Sequence, residues 1–242
     1  MTMCVVVLIL FLGISVNAES RYGFETTNLS SDEINQIWNS IKVRSLPETL
    51  SLDEMSTSIV SFDVAENGNI LIGLKNNRLI VLDNNKELLY GFQFSNDGSF
   101  YVKWEGDNIL LLLVRGAIIV EFSTNGQLIN MIEADDRSIE NNNLWNQIRG
   151  RDKISINDSV YLVRNQMGFL NFFSSSYSQL VKKDIDGKEM VIYDVSTVHA
   201  TKTVVMLIAV LLFWGLIISV IIWKSRKNVE IGENKYYKKL SN

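Results

Sequence analysis

The sequence predicts a mainly β chain of antiparallel four-stranded meander repeats, with one or two short helices and one transmembrane α-helix. Three observations carry this. Short apolar or alternating runs broken by Asn, Asp and Gly fill residues 58–132. Their spacing repeats at about 40 residues, the length of a four-stranded unit. Residues 203–223 form a 21-residue stretch without a charge, enough for about 31 Å of helix against a bilayer core of roughly 30 Å.

Composition narrows the classes of function. Of 242 residues, 47% are hydrophobic and 21% charged, which is unlike a disordered chain. The single cysteine, Cys4, excludes an intrachain disulfide and a cysteine-rich zinc site, and the single histidine, His199, excludes any motif needing two. The net charge of -4 argues against a nucleic-acid binder.

Residues 4–16 are apolar or small, too short at roughly 20 Å to cross a bilayer. Val16-Asn17-Ala18 follows with small residues at the -3 and -1 positions of a cleavage site, so residues 1–18 read as a signal peptide cut after Ala18. No Lys or Arg precedes the run, and the alternatives are an uncleaved anchor or a buried element.

Residues 19–57 are expected to be an amino-terminal segment with one short amphipathic helix. Ser31-Asp32-Glu33-Ile34 resembles an amino-terminal cap, and Ile34, Ile37, Trp38 and Ile41 then share a face, with Pro47 beyond. Strands follow at 58–64, 69–74, 78–83, 87–93, 99–104, 108–114, 117–122 and 127–132. Breaks such as Asn67-Gly68, Asp97-Gly98 and Asn125-Gly126 favour the positive φ of tight hairpins. A second helix is expected at 136–149 from Ile139, Leu144, Trp145 and Ile148, interrupted by Asn141-Asn142-Asn143. Both helices are expected to pack on the sheet core.

The repeat is visible residue by residue. Asn69-Ile70-Leu71 recurs as Asn108-Ile109-Leu110, and Leu79-Ile80-Val81 as Ile118-Ile119-Val120, both at an offset of 39. Glu87-Leu88-Leu89 recurs as Gln127-Leu128-Ile129 at an offset of 40. A fainter copy runs through Leu180-Val181-Lys182-Lys183-Asp184 and Asp186-Gly187-Lys188-Glu189 to Met190-Val191-Ile192-Tyr193. The pattern of strand, Asp, polar turn and strand over residues 58–195 resembles blades of NHL-like and YVTN-like β-propellers. Closed propellers use four to eight blades, and this length holds three or slightly more. A small or incomplete propeller, an open stack of meanders and a β-sandwich are the three outcomes. An unfinished ring needs a helix, a loop or another protomer over its strand edges.

Residues 196–202 read as a juxtamembrane linker, 203–223 as the transmembrane helix and 224–242 as a basic cytoplasmic tail. Trp223, Lys224, Arg226 and Lys227 form the expected membrane-interface set, an aromatic ring at headgroup level followed by positive charges that stay cytoplasmic. The tail carries six basic and two acidic residues, against 17 basic and 25 acidic before it, so it is suited to anionic lipid. The chain is then expected in the cell membrane, with its amino-terminal domain extracytoplasmic and its carboxy-terminal tail cytoplasmic. Gly215 and Ser219 have the spacing of a helix-packing pair.

No phosphate loop, Gly-x-Ser-x-Gly or His-Glu-x-x-His occurs. Asp184-x-Asp186-Gly187 is a hairpin turn and not a calcium loop, since the twelfth position is Val195. Carboxylates at 63, 66, 83, 97, 107, 135 and 136 are read as surface groups unless folding pairs them. His199 is read as a solvated residue before the span. No catalytic residue, metal ligand or cofactor is assigned. The expected function is a single-pass, membrane-anchored extracytoplasmic binding module with a protein partner and no nucleic acid. The alternatives are a subunit of a larger membrane complex and, as the propeller resemblance implies, a propeller-type hydrolase.

Overall fold

The computed structural model describes residues 19–47, 57–166, 168, 171 and 176–240. The expected signal peptide at 1–18 lies outside them, apart from any question of its cleavage. Among the described residues there are fifteen strands in three antiparallel sheets, and three helices.

Three four-stranded meanders form the body. The first is β4 (Ile59–Val64), β5 (Ile70–Leu74), β6 (Arg78–Leu82) and β7 (Leu88–Gln93). The second is β8 (Phe100–Glu105), β9 (Asn108–Leu113), β10 (Ile118–Phe122) and β11 (Leu128–Ala134). The third is β12 (Lys153–Ile156), β13 (Ser159–Arg164), β14 (Gln179–Lys183) and β15 (Glu189–Asp194). Each strand pairs antiparallel with its neighbour in the chain, as hairpin connections require.

The repeat extends to irregularities. The β6–β7 register slips between Val81 and Leu82, and the β10–β11 register slips 40 residues later between Glu121 and Phe122. Equivalent turns close the last hairpin of each meander. Lys86 N–H donates to Asp83 O, Gly126 N–H to Ser123 O and Gly187 N–H to Asp184 O. Lys86, Gly126 and Gly187 all have positive φ, at 70°, 82° and 77°. The Asp184 segment is therefore a hairpin turn. At Gly126 a Cβ would also stand 2.9 Å from the Phe92 ring of the neighbouring meander.

Alternation of side chains explains how the sheets stack. On the first meander Leu71, Leu79, Val81 and Phe92 face Ile109, Leu111, Val120 and Phe122 of the second. The opposite face, with Ile70, Ile72, Leu74, Ile80 and Leu82, packs on Tyr161, Val163, Leu180 and Ile192 of the third. The first meander is thus central and buried on both faces, which is why β5 and β6 read as continuous apolar runs. The third sheet packs on the first, and the architecture is propeller-like.

The amino-terminal segment does more than the sequence suggests. It contributes β1 (Glu19–Arg21), β2 (Phe24–Asn28) and β3 (Arg44–Ser45), none of which has a hydrophobic alternation of its own. β2 pairs with β11 and β3 with β7, so two sheets gain extra edge strands. Among the described residues, β15 has no such addition.

Helix α1 (Ser31–Ile41) begins at Ser31, the residue expected as its cap, and the cap is Ser30, one residue earlier. Its Oγ accepts from Glu33 N–H, and Glu33 Oε2 accepts from Ser30 N–H at 2.9 Å, a reciprocal capping box. Ile34, Ile37, Trp38 and Ile41 pack on the core between the first two sheets. Helix α2 (Ile139–Arg149) lays Leu144, Trp145 and Ile148 on the far face of the second sheet, where a further sheet would otherwise pack. The interrupting asparagines have a use: buried Asn141 exchanges hydrogen bonds with both Glu25 backbone groups and donates to Asp135 O, tying α2 to β2.

Helix α3 (Ser196–Leu240) starts two residues after β15 ends, so the expected linker and most of the expected tail are helical. Its Ser196–Lys224 portion is long and apolar enough to cross a membrane, about 44 Å at 1.5 Å per residue. None of its most apolar window is buried against the sheets.

Candidate functional site

The predicted interface residues sit together on α3. Trp223 is 64% exposed, Lys224 and Arg226 are exposed, and Lys227 belongs to the same helix. Ser219 Oγ donates to Gly215 O at 2.8 Å, so its hydroxyl proton is used within the helix.

A second candidate site lies where β4 and β8 run side by side. Ser61 Oγ accepts from Val102 N–H at 3.1 Å, and Asp63 Oδ2 accepts from Trp104 N–H at 2.8 Å. Both contacts join residues 41 apart, so the two strands run in the same direction. Side chains of one sheet thereby satisfy backbone donors on the edge of the next. Such proximity requires Gly73 on β5, where a Cβ would stand 2.9 Å from both Ser61 Oγ and the Phe100 ring.

Asp63 is the one carboxylate of the expected surface set that this junction absorbs. It is 7% exposed and also pairs with Arg151, just past α2, at 3.1 Å. Burial raises its carboxyl above the ordinary aspartate value. The Trp104 N–H, the Arg151 charge, the Val64 N–H and Lys103 oppose that shift without cancelling it. Among the described residues the buried indole N–H of Trp104 has no partner. By contrast, Asp135 stays half-buried at the surface and is held below its usual range, chiefly by the Arg137 N–H.

Beside this junction is a cavity of about 230 Å³ enclosed by β4, β8, β9, α2 and the β1–β2 turn. Phe24, Phe62, Leu110 and Leu112 give it an apolar floor, and Lys103 and Arg151 are its charged lining residues. A shallower groove of about 630 Å³ opens elsewhere, near Lys75, Asn77, Asp97 and Tyr101. Among the described residues no three His, Cys, Asp or Glu side chains are placed to hold a metal ion.

The roles of Lys103 and Arg151 were not legible in the sequence. Ser61 and Asp63 were partly legible, as polar residues alternating with Phe62 and Val64, but the edge they meet belongs to another repeat.

No protein-family model and no curated protein matches the chain. Solved structures with partial likeness include a protein of unknown function from Bacteroides caccae, at 17% identity and TM-score 0.26 over 55% of this chain and 47% of that one. Virginiamycin B lyase from Staphylococcus aureus aligns at 11% identity and TM-score 0.28, over 62% of this chain and 45% of the lyase. BamB from Moraxella catarrhalis aligns at 12% identity and TM-score 0.29, over 56% of this chain and 50% of BamB. The chain spans about half the length of these structures. At such scores the likenesses carry no argument about activity, and the fold class rests on the sheets themselves.

Proposed function

We propose that the chain is a single-pass, membrane-anchored module that presents its three-sheet body outside the cytoplasm and acts by binding a protein partner, without catalysis. One observation supports this most: the exposed apolar helix α3 leaves the body directly from β15, with no long linker between fold and anchor. Lys224 and Arg226 at the end of its apolar portion orient it by the excess of positive charge on the cytoplasmic side. The basic tail then lies against anionic lipid. The test is carbonate extraction with protease treatment of intact cells. The chain stays in the membrane fraction, the sheets are digested and a carboxy-terminal tag survives. A soluble chain, or a digested tag beside protected sheets, overturns the proposal.

A second reading, a subunit of a larger membrane complex, draws on β15. That strand carries exposed Val191 and, among the described residues, no added strand, whereas β7 and β11 each have one. Native electrophoresis of gently solubilised membranes distinguishes the two, since a subunit migrates far above the mass of the chain and its micelle.

A further inference from the structure

We propose that the cavity beside the β4–β8 junction is a binding site for a small monocarboxylate on an apolar body. The volume comes first. About 230 Å³ is some seven or eight waters' worth at roughly 30 Å³ each, below the usual range for drug-sized ligands. The occupant is a fragment-sized molecule. The floor of Phe24, Phe62, Leu110 and Leu112 suits a ring or short alkyl chain and offers water few partners.

Charge selects the head group. Lys103 and Arg151 line the cavity and no carboxylate does. Asp63 lies behind the wall and offsets one of the two positive charges through its pairing with Arg151. Glu105 offsets the other through a looser contact with Lys103, so an incoming anion takes the place of Glu105 on Lys103. Asp63 engages one guanidinium nitrogen, Nη1, and the other guanidinium N–H groups have no partner among the described residues. Those donors suit the two oxygens of a carboxylate. Lys103 is 3.6 Å from the half-exposed Glu105 carboxylate, a loose pair that an incoming anion can displace. Ser61 and Gln147 add polar groups at the wall.

This site does not depend on which side of a membrane the body occupies, so its test is separate from that of the anchor. The full chain in lipid nanodiscs is titrated with benzoate and with benzamide, which has the same ring and no charge. Saturation-transfer NMR reads binding, and empty nanodiscs supply the blank. Benzoate binds at least about tenfold more tightly than benzamide, and Lys103→Gln removes about that factor for benzoate alone. Leu112→Trp fills the cavity and abolishes both signals, with circular dichroism confirming that the strands persist. If Leu112→Trp unfolds the chain, Lys103→Gln alone decides. Equal affinity for the two probes, no benzoate binding, or benzoate binding indifferent to Lys103→Gln overturns the proposal.

Discussion

Asp63 Oδ2 accepts a hydrogen bond from the Trp104 backbone N–H at 2.8 Å across the junction between the first two sheets. The same carboxylate pairs with Arg151 through Oδ1 at 3.1 Å. One buried side chain thus links three pieces of the fold: β4, β8 and the segment after α2. Asp63→Ala leaves the Trp104 donor unsatisfied and Arg151 unpaired. The expected loss is about 2–3 kcal/mol, the range for stranding a buried donor and part of a charge pair. Urea unfolding of the detergent-solubilised chain measures it. A loss under about 0.5 kcal/mol, typical of a surface substitution, would show that the junction is held elsewhere.

The same carboxyl gives stability a pH dependence of defined sign. Burial raises its folded value above the ordinary 3.8. Just above pH 3.8 the unfolded chain has released this proton while the folded chain still holds it. The unfolded state then binds fewer protons, so this group's contribution to stability falls as pH rises through that window. Asp63→Asn removes the titration and keeps an oxygen for Trp104 N–H. Relative to Asp63→Asn, the unmodified chain is expected to lose stability as pH climbs from 3.8 through the raised folded value. A difference that stays flat or grows with pH would mean that Arg151 outweighs burial.

Much of the body was legible because its signals are local. The Asn67-Gly68 and Asn125-Gly126 breaks mark hairpins, whereas Asp97-Gly98, expected as another, connects β7 to β8 of the next sheet without a positive φ at Gly98; runs such as Asn108-Ile109-Leu110-Leu111 mark strands buried on both faces. The amino-terminal strands were not legible. Phe24–Asn28 has one apolar residue, and it is a strand because β11 supplies an edge to pair with. The order of the sheets was hidden for a similar reason. Nothing local tells the third repeat to pack on Ile70, Ile72 and Ile80 of the first. The Asp63–Arg151 pair spans 88 residues, and no spacing rule reaches that far.

The repeat itself predicts a stabilising change. Lys86 occupies the left-handed turn position that its counterparts give to Gly126 and Gly187. A left-handed conformation costs an L-residue roughly 1–2 kcal/mol and costs glycine almost nothing. Greater freedom of the unfolded chain returns about 0.4–1 kcal/mol of that gain. Lys86→Gly is therefore expected to stabilise by about 0.5 kcal/mol, and Lys86→Val to destabilise, both read as shifts in urea midpoint. A destabilised Lys86→Gly would show that the lysine side chain contributes more than its backbone conformation costs.

Tyr22 closes the β1–β2 turn and fastens it to the second sheet. Its hydroxyl donates to Glu121 at 2.5 Å and accepts from Asn130 Nδ2 at 2.9 Å. Glu121 is buried and also accepts from Asn108 Nδ2 at 2.8 Å. Tyr22→Phe keeps the ring and removes one donor from a carboxylate, at an expected cost of about 1.5–3 kcal/mol. Burial, then the bond to Glu121, pushes the phenol from 10.0 up to about 12. Below pH 10 the phenol is neutral in both states and its contribution is complete. Between pH 10 and about 12 the unfolded chain ionises first, so the contribution declines. The stability gap between the unmodified chain and Tyr22→Phe should therefore narrow steadily in that alkaline window. A gap that remains constant there would place Tyr22 outside the Glu121 network and remove a side-chain tie between the β1–β2 turn and β10.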